Sequence, residues 1–306
     1  MPIKRMEING HCFSFRHWKT SRASSCVVYV HGGPGYGISV LGAQWLKNLV
    51  PDSVDCFFYD QRGAGRSLGI HDLFRKMSVH DHESDLISIC QMLAKKYRHL
   101  ILVCHSWGTI PGLNCLSREL PVRVSYIGLG QVVNGIDGEL YLFRILQEKL
   151  KKNPEWRSCF PYSVPVVSGQ LRLIQYLARS RKMAMSLLEP KSIDIERYIM
   201  ESELYQRGDR LKLRIGFALS LLRLWPECLA INRDRPGVVN TASTCIFVSG
   251  EHDFITPPHL VEKMFRLNVF GSDSEHIIFP NAGHRMNLSH ATKIRAIVSR
   301  LAEQST

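Results

Sequence analysis

The 306-residue sequence predicts an α/β fold: a mostly parallel sheet with a helical cap inserted before its last strands. Two observations carry this. First, three runs rich in β-branched or aromatic residues, "CVVYVHGGPG" (26–35), "VDCFFYDQRGAG" (54–65) and "HLILVCHS" (99–106), each end in glycine or a small residue and are separated by amphipathic segments. Strands alternating with helices in this way join in parallel through right-handed crossovers. Second, a fourth run, "VRVSYIGLG" (122–130), is followed by a long helix-patterned interval before "TCIFVSG" (244–250) and "EHIIFP" (275–280).

Taken in order, residues 4–8 and 11–16 alternate across Asn9-Gly10, a pair suited to the positive φ of a tight hairpin turn, so the chain opens with antiparallel strands. "HESDLISICQMLAKKY" puts Leu86, Cys90 and Leu93 on one helical face before the third run. The interval then reads as "GELYLFRILQEKLKK", "GQLRLIQYLARSR", "SIDIERYIMESELY" and "RLKLRIGFALSLLRLW", all with apolar residues at helical spacing. Residues 1–133 and 239–306 are expected to form the core and 134–238 the cap. The segment Arg210 to Trp225, apolar on much of its circumference through Leu211, Ile215, Phe217, Leu219, Leu222 and Trp225, is expected to be interior and to line a pocket.

Hydrophobic content of 45% and charged content of 22% belong to a soluble globular chain without linker or low-complexity tracts. Nine cysteines with no C-x-x-C pair read as reduced. The opening "MPIKRMEING" lacks the apolar stretch of a signal peptide and no run approaches 18 apolar residues, so a cytoplasmic protein without an integral membrane segment is expected. The net charge of +12 is spread over scattered Lys and Arg without interleaved aromatics, which argues against a nucleic-acid partner.

The chemistry centres on Ser106. It follows the strand "LILVC" and precedes a helix with Ile110, Leu113 and Leu116 on one face, the strand, turn and helix of a nucleophile elbow. Small residues are wanted two before and two after such a serine. Gly108 meets this, and Cys104 stands where glycine is usual. The backbone N–H of Trp107 would then point at a developing oxyanion, with that of Gly33 in "HGGPG" as the second donor. A serine nucleophile needs a base, and the base an orienting carboxylate. Asp253, in the loop after "FVSG", and His284, after "IIFP", follow Ser106 in the order this architecture uses. Glu251 follows its strand too closely and Asp273 precedes its own; His252 and His259 neighbour the acid; His31, beside the glycine loop, and His105, beside the nucleophile, are expected to be structural or to line the substrate pocket. "HDHES" (80–84) lacks partners to complete a metal site and reads as an acidic helix start, so no metal or cofactor is expected.

With these residues in hand, the chain resembles the α/β-hydrolase superfamily and, within it, the proline iminopeptidase-like serine hydrolases, through "HGGPG" (31–35), "DQRGAGRS" (60–67), "HSWG" (105–108), "GEHD" (250–253) and "GH" (283–284). The resemblance implies an α/β-hydrolase fold with an eight-stranded sheet, a Ser106, Asp253, His284 triad, an oxyanion hole from Gly33 and Trp107, and a loop bearing structural Asp60 and Arg62. It implies cap glutamates that hold the free amine of a small-molecule or short-peptide substrate. Glu201 in "MESELY" stands at the matching place, with Glu203 nearby, although the surrounding residues differ from the family's pattern. The function expected is an aminopeptidase of the iminopeptidase type. A carboxylesterase or lactonase is the alternative, and a non-catalytic ligand-binding protein a distant third. Epoxide hydrolases and dehalogenases on this fold carry an aspartate where Ser106 stands.

Overall fold

The computed structural model describes residues 2–20, 23–40, 42–152, 170–190, 199 and 201–304. Asn9 and Gly10 take φ of 50° and 68°, so β1 (Lys4–Ile8) and β2 (His11–Trp18) fold back as an antiparallel pair with Ile8 opposite His11. β3 (Ser25–Val30), β4 (Asp55–Tyr59), β5 (His99–His105), β6 (Arg123–Leu129), β7 (Cys245–Gly250) and β8 (Glu275–Phe279) complete an eight-stranded sheet in the order β1-β2-β4-β3-β5-β6-β7-β8. β2 pairs with β4 antiparallel, and every pairing beyond it is parallel.

Helices α1 (Gly42–Leu49), α2 (Val79–Ala94) and α3 (Thr109–Cys115) connect β3 through to β6. Three further helices, α4 (Gly135–Leu150), α5 (Gln170–Met183) and α6 (Arg207–Ala230), lie between β6 and β7. α7 (Pro258–Leu267) joins β7 to β8, and α8 (Met286–Ser289) and α9 (Ala291–Glu303) follow. Leu46, Leu49, Ile294 and Val298 cover one sheet face through Val27, Tyr29 and Ile101; Leu86, Ile89, Leu113 and Met264 cover the other through Val28, Leu100 and Leu102. Burial on both faces explains why β3 and β5 are almost unbroken apolar runs. Because the central strands run in parallel, their carboxyl ends and the loops that follow gather along one edge.

"HDHES" lies at the start of α2, where Ser78 and Asp81 cap the helix reciprocally: Asp81 N–H donates to Ser78 Oγ at 3.2 Å and Ser78 N–H to Asp81 Oδ2 at 2.9 Å. The expected interior helix is only partly so. Phe217, Leu221 and Trp225 of α6 face a cavity and Leu224 is fully buried, but Leu211 and Ile215 are exposed, while Leu213 between them is the residue that turns inward, against Val40 and Tyr205. The segment 192–205 falls largely outside the described residues.

Candidate active site

β5 ends at His105, and Ser106 turns the chain with φ of 52° into one 3-10 turn that leads to α3. A left-handed backbone on a non-glycine residue costs about 1–3 kcal/mol and persists only where packing holds it. Here the packing is close: a Cβ on Gly108 would run into the Val30 carbonyl, so α3 can lie against β3 only with glycine there. Cys104, in the position usually given to glycine, is fully buried, and room for its sulfur is left by Gly112 one turn into α3, whose own Cβ would collide with Cys104 Sγ. Thr109 Oγ1 donates to the Ser106 carbonyl at 2.6 Å and accepts from Val132 N–H at 3.0 Å, tying the elbow to the end of β6.

Loops after β7 and β8 bring two further side chains to this turn. Ser106 Oγ lies 2.9 Å from His284 Nε2, and His284 Nδ1 lies 2.9 Å from Asp253 Oδ2 and 3.1 Å from Asp253 Oδ1. Asp253 also accepts from the N–H groups of Ile255 (2.9 Å) and Thr256 (2.8 Å) and from Thr256 Oγ1 (2.6 Å). Burial pushes the Asp253 carboxyl up, but His284 and these donors outweigh it and hold the carboxyl below its ordinary value. Burial works against a His284 imidazolium as well, and Asp253 more than compensates, leaving His284 above its ordinary value. A carboxylate that stays ionised beside an imidazole able to take a proton can move a proton away from the Ser106 hydroxyl.

Gly33 and Trp107 both line the cavity beside Ser106. One buried side chain connects their loops. Gln61 Oε1 accepts from the Trp107 indole at 2.9 Å, Gln61 Nε2 donates to the His31 carbonyl at 2.7 Å, and the Gln61 N–H donates to His31 Nε2 at 3.0 Å. Asp60 anchors the adjoining loop by accepting from Ile38 N–H, Ser39 N–H and Ser39 Oγ, each at 2.6 Å, while Arg62 turns away to a two-pronged pair with Asp85. His31 and His105 line the cavity, but their rings hold backbone. His31 is pinned between the Gly32 carbonyl and Gln61, and His105 Nε2 donates to the His284 carbonyl at 3.0 Å. Burial pushes His105 down to about 3, so this donor is neutral.

The cavity has a volume of about 250 Å³, with apolar walls from Trp107, Leu177, Phe217, Leu221 and Trp225. α4 and α5 add a charged pair: Arg181 grips Glu139 with both terminal nitrogens while its guanidinium lies 5.1 Å from the centre of the Trp225 ring. Glu201 and Glu203, expected to face a substrate amine, are exposed and outside the cavity lining. Nearby, Ile199 and Tyr205 are buried with Val40 and Leu213, while Glu201 and Glu203 stay at the surface. Among the described residues Glu139 is the carboxylate in the lining.

A family model described as "Alpha/beta hydrolase family" matches residues 27–297. The chain belongs to the alpha/beta hydrolase family. It is an alpha/beta hydrolase with an eight-stranded sheet, 23% identical over 292 residues to the probable aminopeptidase YbaC of Bacillus subtilis, covering 90% of this chain and 88% of that one. Its fold is similar to that of a proline iminopeptidase-related protein from Thermus thermophilus (TM-score 0.64, 17% identity, 98% and 97% of the two chains covered). It is also similar to that of an epoxide hydrolase from Vigna radiata (TM-score 0.61, 13% identity, 99% and 98% covered). No described helix of this alpha/beta hydrolase is long and apolar enough to cross a membrane.

Sequence reasoning did not single out Gln61, Thr256, Glu139 or Glu189, which touch the candidate site. Gln61 at least sits inside the "DQRGAGRS" motif, and Thr256 lies three residues from Asp253. Glu139 lies on a helix-patterned stretch and Glu189 between two of them, neither with a local signal.

Proposed function

We propose that this hydrolase cleaves small esters or amides through an acyl-enzyme on Ser106. The observation that carries the reading is the continuous path from Ser106 Oγ through His284 to Asp253, 2.9 Å at each step, opening on an apolar cavity. Ser106 Oγ attacks the acyl carbonyl as His284 Nε2 takes its proton, and Asp253 stabilises the resulting imidazolium. The Gly33 and Trp107 backbone N–H groups receive the oxyanion. Collapse of the tetrahedral adduct passes the proton from His284 to the leaving alcohol or amine. Water then attacks the acyl-enzyme, giving its proton to His284, and Ser106 recovers it as the acid departs.

A cavity of about 250 Å³ suits a small acyl group rather than a long chain. Its one lining carboxylate among the described residues, Glu139, is already neutralised by Arg181, so the cavity favours acyl groups without a free amine. A second reading, an aminopeptidase of the proline iminopeptidase type, draws support from the sequence likeness to the probable aminopeptidase of Bacillus subtilis. Among the described residues, the carboxylate that could serve it is Glu139, which would have to exchange Arg181 for a substrate ammonium. Comparing kcat/KM on an unblocked aminoacyl anilide, its N-acetyl form and a small uncharged ester separates the two. Ester turnover with indifference to the amine supports the first. A preference for the free amine that disappears in Glu139→Gln establishes the second.

A further inference from the structure

We propose that Glu189, carried by the inserted helices, is a positioning residue for His284: it holds the backbone of the base and sets the pH range in which His284 can accept a proton. The proposal rests on the reading of Ser106 and His284 as nucleophile and base.

His284 sits in the loop after β8, where an imidazole could move away from Ser106 unless its own peptide were held. Both polar groups of that residue are engaged. Its carbonyl accepts from His105 Nε2 at 3.0 Å, a bond from the sheet side, and its N–H donates to Glu189 Oε2 at 2.8 Å, a bond from the inserted segment. Glu189 comes from the end of a π turn, Ala184–Leu188, and its own N–H returns to the Ala184 carbonyl at 3.0 Å, which fixes the side chain's point of departure. Gly283 makes the approach possible, because a Cβ there would collide with the Glu189 carboxylate. The neighbouring Leu188, and Phe254 and Ile255 of the Asp253 loop, pack against one buried cluster that includes Ala184 of the same turn, so the turn is tied to the Asp253 side of the site as well.

Glu189 is 8% exposed, and the second oxygen of its carboxylate, Oε1, is buried without a hydrogen-bond partner among the described residues. A carboxylate with one donor and little water is poorly stabilised. Burial, then the Asp253 charge, pushes it up to about 7, while His284 and Arg285 pull the other way. The charged groups facing it are Asp253 from the loop after β7 and His284 and Arg285 from the loop after β8; His105, on the far side of His284, is neutral. Its negative charge favours the His284 imidazolium. Ionised Glu189 therefore raises the pH at which His284 becomes a free base and also stabilises the imidazolium formed during attack by Ser106. A carboxylate that only filled space would do neither.

Glu189→Gln separates charge from shape, since its amide oxygen can still accept from His284 N–H. With 4-nitrophenyl butyrate as the probe, kcat/KM is followed against pH for wild type, Glu189→Gln, Glu189→Ala and Ser106→Ala, each checked for folding by thermal melt. The expected result for Glu189→Gln is an acid limb moved to lower pH by roughly half to one unit, with a plateau kcat lower by about 3–10-fold and KM little changed. Glu189→Ala, which strands the His284 N–H, loses more kcat. An acid limb at the wild-type position in folded Glu189→Gln overturns the proposal alone. Wild-type turnover that survives Ser106→Ala overturns the triad reading and the proposal with it.

Discussion

The exchange between Cys104 and Gly112 gives the sharpest test of how this chain builds its elbow. Gly112→Ala adds a methyl whose carbon would lie well inside 3.0 Å of Cys104 Sγ and 3.2 Å from both Cys104 Cβ and Tyr126 Cε2. Cys104 and Tyr126 are fully buried, so neither can swing into solvent. Overpacking of this kind costs about 1–3 kcal/mol, and the better helix propensity of alanine returns at most about 1 kcal/mol. The net expectation is a loss of about 1–2 kcal/mol, or a Tm lower by roughly 2–4 °C in a chain of this size. Because α3 begins directly after the elbow, the displacement reaches Ser106, and kcat/KM falls with stability. The pair Cys104→Gly with Gly112→Ala puts glycine on the strand, where it is usual, and gives the added methyl on the helix the space that the Cys104 sulfur leaves. Urea unfolding of the two single variants and the double variant should yield a favourable coupling of at least about 1 kcal/mol. A Gly112→Ala protein as stable as wild type, or strictly additive variants, would falsify this account of why cysteine is accepted at position 104.

Gln61→Leu leaves the Trp107 indole N–H and the His31 carbonyl without their partner; two buried unsatisfied groups cost about 2–4 kcal/mol, so both the melting temperature and kcat should fall, and wild-type values for both would remove Gln61 from the support of the oxyanion side. The acid limb of kcat/KM should lie above 6.5, the ordinary histidine value, because His284 is raised and must be neutral to accept the serine proton; activity is lost as pH falls through that raised value, and a limb below 6.5 contradicts the assignment of His284 as the base.

Much of the fold follows from local pattern. Asn9-Gly10 marks the hairpin because only residues tolerant of positive φ fit its turn, and β3 and β5 read as apolar runs because helices cover both their faces. Ser106, Asp253 and His284 were legible because each stands just past the end of a strand, and parallel strands bring such positions to one edge. What stayed hidden depends on contacts distant in sequence. Glu189 reaches His284 across 95 positions and Arg181 reaches Glu139 across 42, separations over which helical periodicity carries no information. Glu201 matched a motif by place alone, yet it is exposed while Ile199 and Tyr205 beside it are buried, a difference set by packing partners that the motif does not encode. The exposed face of α6 has a similar origin: composition shows that a helix is apolar, but only its packing partners decide which of Leu211, Ile215 and Leu224 are covered.

The central claim is that Ser106 is the nucleophile and that His284 activates it. Intact-mass and peptide mapping after treatment with a fluorophosphonate tests this most directly, with Ser106→Ala and His284→Ala as controls. One adduct on Ser106, absent in Ser106→Ala and formed at least about a hundredfold more slowly in His284→Ala, is the predicted result. No adduct, or an adduct on another residue, contradicts it.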